Sequence, residues 1–112
     1  MAGRKIIAYN YTITAGADER KTVYTVKEPH IKLKRWVFIS EAGALGQIFG
    51  SIYYGDMKII PEEGELSTDK FVLDTNTDHD FYRGDDVVIR FRNTSTNDLP
   101  VFGFLEFEIK EG

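Results

Sequence analysis

Apolar residues recur at every second position over much of this chain, a period that puts successive side chains on opposite faces of a strand. In the segment 87–92, Val87, Ile89 and Phe91 lie on one side while Arg90 and Arg92 take the other. From Val101 to Ile109 the odd positions read Val, Gly, Leu, Phe and Ile, and Glu106, Glu108 and Lys110 alternate with the last of them. Each strand therefore has one core face and one face that becomes wet towards its end. Earlier in the chain, Ile7, Tyr9, Tyr11 and Ile13 mark one side of a strand over 5–14, and Thr22 to Val26 forms the next. Pro29 ends that second strand, because it withdraws a ladder donor and holds Glu28 extended.

The segment Ile31–Ser40 predicts a long strand with a change of phase. Ile31 and Leu33 are odd, Trp36 and Phe38 are even, and Lys34-Arg35 sits at the join, where a β-bulge or a crossing from one sheet edge to another is expected. Gln47–Tyr54 and Met57–Ile60 read as two strands around the turn pair Gly55-Asp56. Leu66–Leu73 extends, Asp74–Asp80 reads as an acidic loop, and the polar stretch Asn93–Pro100 separates the two closing strands. The only helical competitor, Glu41–Leu45, is too short and is bracketed by glycine. Eight strands without an interior linker predict an all-β fold: one domain over 1–112, an antiparallel β-sandwich of the jelly-roll type.

Composition narrows the function. The 112 residues are 42% hydrophobic with eight phenylalanines and six tyrosines, enough for a packed core. A net charge of −4 argues against nucleic acid as a partner, since phosphate binding draws on a clustered basic surface. Cysteine is absent, which removes disulfides, thiolate metal sites and cysteine nucleophiles together. No secretion signal and no apolar run of membrane-spanning length is visible, so neither a membrane partner nor export is expected, and the cytoplasm is the default location.

Candidate chemistry is sparse. Oxygen-bearing side chains at Asp74, Asn76, Asp78 and Asp80, with Asp85 in twelfth place, imitate the spacing of a calcium loop. His79 stands where that loop has glycine, and strands rather than helices flank it, so a plain solvated turn is the simpler reading and no cofactor is expected beyond this calcium alternative. Arg83-Gly84-Asp85 spells an adhesion tripeptide but is explained by a turn in which glycine takes positive φ and an aspartate caps the backbone. The only histidines, His30 and His79, do not stand in a hydrolase order. Adjacent acids such as Glu62-Glu63 and Asp85-Asp86 diverge on a strand, so no acid–base pair is selected and catalysis is not expected. The Asn10 and Asn93 glycosylation patterns are read as accidental.

The aromatics carry more. Tyr53 and Tyr54 are adjacent, so at least one is expected to point outward, and Phe102 and Phe104 face away from Val101, Gly103 and Leu105. A sandwich strand with one wet face has no use for two outward phenylalanines, so either a loop or a partner subunit is expected to cover them. Tyr53, Tyr54, Phe102, Phe104 and Trp36 are therefore the candidates for a surface buried against other copies of the chain. The alternative is a carbohydrate-binding module with the tyrosines as a stacking platform and calcium in support.

Several segments together resemble small β-sandwich proteins of bacteriophage and other virus particles, including head-decoration, tail and fibre modules. They are the short strand closing on Tyr24–Pro29, the long strand Ile31–Ser40, the Gly84-Asp85 turn, the strand Val87–Asn93, and the polar loop with its final alternating strand. Where such proteins often have glycine after the proline, this chain has His30. The resemblance implies no catalytic residues. It implies self-association, as a trimer or another ring, with a capsid or tail protein as further partner and the virion as location.

Overall fold

The computed structural model describes residues 3–40, 47–54, 57–60, 66–67 and 72–110, including side chains except at 66–67 and 72–75. The described residues form nine strands: β1 (Gly3–Ile13), β2 (Asp18–Thr25), β3 (His30–Ser40), β4 (Ile48–Tyr54), β5 (Met57–Ile60), β6 (Leu66–Ser67), β7 (Val72–Tyr82), β8 (Asp86–Asn93) and β9 (Leu99–Ile109). They make two sheets, one in the order β1-β9-β3-β7 and the other β2-β8-β4-β5, with β6 also paired to β4. Every pairing is antiparallel. The chain crosses between sheets at almost every connection, the double Greek key of a jelly roll. The β-sandwich expected from the two-residue period is thus the observed fold.

Facing sheets bury the predicted core positions. Val87, Ile89 and Phe91 on β8 and Val101, Leu105 and Phe107 on β9 are all fully enclosed. Trp36 stacks on Phe38 with centroids 5.6 Å apart, and a Cβ at Gly50 on β4 would lie only 3.0 Å from the Trp36 ring. Glycine at that position is what lets the second sheet approach these rings. The phase change in the long strand is real: β3 shifts register between Leu33 and Arg35 against both neighbours, with Lys34 the extra residue against β9 and β7 itself carrying one extra residue, between Asn76 and His79, against β3. That bulge allows odd residues before it and even residues after it to face one core.

Two assignments need correction. The acidic segment 74–80 is strand, not loop: it forms most of β7 and runs antiparallel to β3 from Val37↔Asp74 to Lys32↔Asp80. Aspartate and asparagine are poor strand formers, but opposite charge directly across a ladder offsets that preference. β2 also begins at Asp18, ahead of the predicted Thr22, because pairing with β8 overrides the weak strand preference of Asp18-Glu-Arg-Lys. The segment predicted as one strand over 66–73 appears as β6 and the start of β7, with 68–71 outside the described residues. The helical competitor at 41–45, the Gly55-Asp56 turn and Glu62-Glu63 also lie outside them.

Candidate interaction surfaces

The outer face of the first sheet is built from the even positions of β1 and β9, the matching positions of β3, and β7. Its four strands each have eleven residues. Registers place Arg4, Glu108, Lys32 and Asp80 in one row across the strands, and Ile6, Glu106, Arg35 and Asn76 in the next. Further along, Ala8, Phe104, Val37 and Asp74 form a third row, and Asn10, Phe102, Ile39 and Val72 a fourth. One end of the face is thus charged and the other largely apolar, centred on β9 and β3.

At the charged end the side chains are joined in ion pairs. Glu106 accepts from Arg4 at 3.0 Å and lies 3.9 Å from Arg35. Asp78 accepts from Lys34 at 2.9 Å, which holds its carboxyl below the usual range and raises the Lys34 ammonium. Asp80 meets His30 at 2.7 Å and Lys32 at 3.9 Å, and the His30 hydrogen bond leads in lowering its carboxyl. Glu108 is lowered by Lys110, at 2.6 Å just beyond β9. Pairs this exposed are screened by water, so they shape the surface more than they hold the fold. An open groove of about 550 Å³ runs between Gly3, Arg4, Lys34 and the Glu106–Glu108 segment.

At the apolar end Phe102 is 40% exposed; Ile6, on the edge strand in the row of Glu106, is 53% exposed and borders that end. Phe104 and Ile39 are half-buried, and the Arg35 guanidinium lies over the Phe104 ring at 5.4 Å. Phe102 and Phe104 point outward as expected from their phase.

The other aromatic candidates lie elsewhere. Tyr53 is on the outer face of the second sheet but only 7% exposed, with the Arg20 guanidinium 4.5 Å from its ring centroid. Arg92 covers Phe49 in the same way at 4.6 Å, and Arg90 forms a two-pronged pair with Asp18, which lowers the aspartate and raises the guanidinium. Tyr54 turns to the sandwich interior, its ring 5.4 Å from both His79 and Phe81 and its hydroxyl bonded to Asp85. Trp36 is fully buried, and its Nε1 donates at 2.9 Å to the Tyr9 hydroxyl, which donates in turn to the Val37 carbonyl at 2.9 Å. Burial pushes that tyrosine hydroxyl well above its usual range. The five candidates therefore do not form one patch: Trp36 is core, Tyr53 lies under Arg20, and Tyr54 packs inward against His79 and Phe81.

The calcium spacing is likewise redistributed. Asp74 lies on β7 opposite Val37, Asn76 opposite Arg35, and Asp78 and Asp80 join the lysine pairs above. Six residues of extended strand span roughly 20 Å, so these positions do not curl around one cation. Asp85 instead accepts the Tyr82 backbone N–H at 2.8 Å, capping the turn in which Gly84 takes φ 92°. Arg83 of the adhesion-like tripeptide donates its Nε to the Lys27 carbonyl. Among the described residues no group of three or more histidine and acidic side chains is arranged to hold a metal. Asn93 is 1% exposed and its amide ties the Ile13 and Asn97 carbonyls, a structural role that its glycosylation pattern concealed.

Sequence reasoning missed Ile6, Val37 and Ile39 as companions of the outward phenylalanines. The missing information was the strand order, since these residues stand more than 60 positions away along the chain and meet only through β9.

No family model matches the sequence, and no curated protein does. Among solved structures the chain is similar to one described under "Bacillus endospore appendages form a novel family of disulfide-linked pili". That likeness has a TM-score of 0.50 at 10% sequence identity and covers 99% of this chain and 89% of the other. It extends over the whole sandwich and is a likeness of fold.

Proposed function

We propose that this chain is a non-enzymatic structural subunit that acts by associating with copies of itself into a fibre or shell displayed outside the cell. The observation that carries this reading is the outer face of the first sheet, where Phe102, Phe104 and Ile39 line up beside exposed Ala8 and Ile6. An apolar strip on one side of a sandwich is the mark of a surface meant for a partner. The solved appendage protein of the same fold supports an assembly of pilus type. A virus particle, with a capsid or tail protein as further partner, is the second assembly to which such a subunit belongs, on the residue pattern given above.

Sedimentation velocity over a micromolar concentration series tests the reading. Association should rise with concentration, and Phe102→Asp should weaken it by about tenfold or more while the protein still folds. A wild-type chain that stays monomeric throughout that range would remove the assembly role.

A further inference from the structure

The charged end of the first sheet has a regularity beyond pairing. Each strand contributes one sign to the outer face: Arg4 on β1, Glu106 and Glu108 on β9, Lys32, Lys34 and Arg35 on β3, and Asp78 and Asp80 on β7. In the sheet order β1-β9-β3-β7 the columns therefore run positive, negative, positive, negative. Four alternating columns, read backwards, give the opposite sign at every place. A second copy turned about a twofold axis parallel to the strands presents that reversed order, while keeping charged end to charged end and apolar end to apolar end.

We propose that this face is a self-complementary contact in which two copies pack their first sheets together about that axis, deepening the reading of the chain as a self-associating subunit. In this arrangement Glu106 meets Arg35 of the second copy, Glu108 meets its Lys32, and Arg4 meets its Asp80. Phe104 lies against its Val37 and Phe102 against its Ile39. Facing sheets cross at about 30°, so this matching is tightest for the two central strands, β9 and β3. A twofold axis perpendicular to the strands sets the phenylalanines against charges, which excludes it.

Area decides that both ends take part. Four strands about 4.8 Å apart and roughly 37 Å long give a face of about 700 Å², or about 1,400 Å² for two copies, within the range of specific interfaces. The apolar end alone supplies half of that, below the ~1,000 Å² a specific contact needs. Charge columns so close to the contact therefore have to match, and their part is register and orientation rather than affinity. The same columns also pair within one chain, so a test has to separate the two roles.

Mixing does so. Arg35→Glu turns the contact of that variant with itself into glutamate on glutamate, and Glu106→Arg turns its own into arginine on arginine. An equimolar mixture restores opposite charges at both places, which no pairing inside one chain can do. With folding verified by circular dichroism, each variant alone is expected to associate about tenfold more weakly than wild type, and the mixture to recover the loss. Lys32→Glu and Glu108→Lys repeat the test if either first variant fails to fold. Wild-type association that survives in the single variants, or that mixing fails to recover, overturns this contact and leaves the assembly role standing. Monomeric wild type overturns both.

Discussion

Gly103 is the residue on which the first sheet is most sensitive. Its φ is +152°, and a Cβ built there would come within 2.0 Å of the Val37 carbonyl oxygen and 3.1 Å of the Tyr9 hydroxyl. β9 and β3 approach this closely at the place where Tyr9 and Trp36 complete their hydrogen-bonded chain to that same carbonyl. An added methyl group must push the two strands apart and strain the backbone together. Gly103→Ala is expected to cost about 2–4 kcal/mol in urea denaturation. An unchanged midpoint would show that the strands have slack to give. In the sequence Gly103 occupies an ordinary core-phase position, and nothing local separates it from a small residue of convenience.

Between elements, Glu28 clips the turn after β2 to β1. It accepts from Lys5 at 2.8 Å and from the Tyr24 hydroxyl at 2.6 Å. Burial alone would raise its carboxyl, but the hydrogen bonds from Lys5 and Tyr24 outweigh that and bring it down to about 2. A carboxyl lowered on folding contributes stability above its unfolded value of 4.5, and that contribution is lost as the pH falls towards 2. Wild type is therefore expected to lose about 1–3 kcal/mol more than Glu28→Gln between pH 5 and pH 2, measured by denaturant titration at each pH. Parallel pH profiles for the two proteins would count against the clip. Pro29 and Glu28 were legible as a strand end, whereas Lys5, 23 positions earlier, was not legible as the partner. The same limit explains β7: its outward aspartates read as a loop because the lysines that balance them sit on another strand.

For the whole molecule, cysteine content sets how an assembly can be held. The solved neighbour belongs to a family described as disulfide-linked pili, and this chain has no cysteine. It contributes no disulfide of its own, so the contact proposed above relies on buried area and matched charge. Reductant should leave the sedimentation profile and the melting temperature unchanged, while urea should separate the subunits in the range where apolar contacts weaken. Sensitivity to reductant alone would mean that another, cysteine-bearing component links the subunits.

Side-chain alternation is a local property, carried by neighbours two apart, so the chain alone told that it forms strands, that β8 and β9 each have one core face and that Phe102 and Phe104 face out. It also marked the break at Lys34-Arg35, because a phase change is written in consecutive residues, while pairing with β9 and β7 decided that the break is a bulge. Strand order is a non-local property: β1 meets β9, and β3 meets both β9 and β7, only once the sandwich closes. That closure buried Trp36, separated the tyrosines from the phenylalanines, drew Ile6, Val37 and Ile39 into one strip, and set the charges in alternating columns. Local periodicity specifies faces; only the folded order of strands specifies which faces become neighbours.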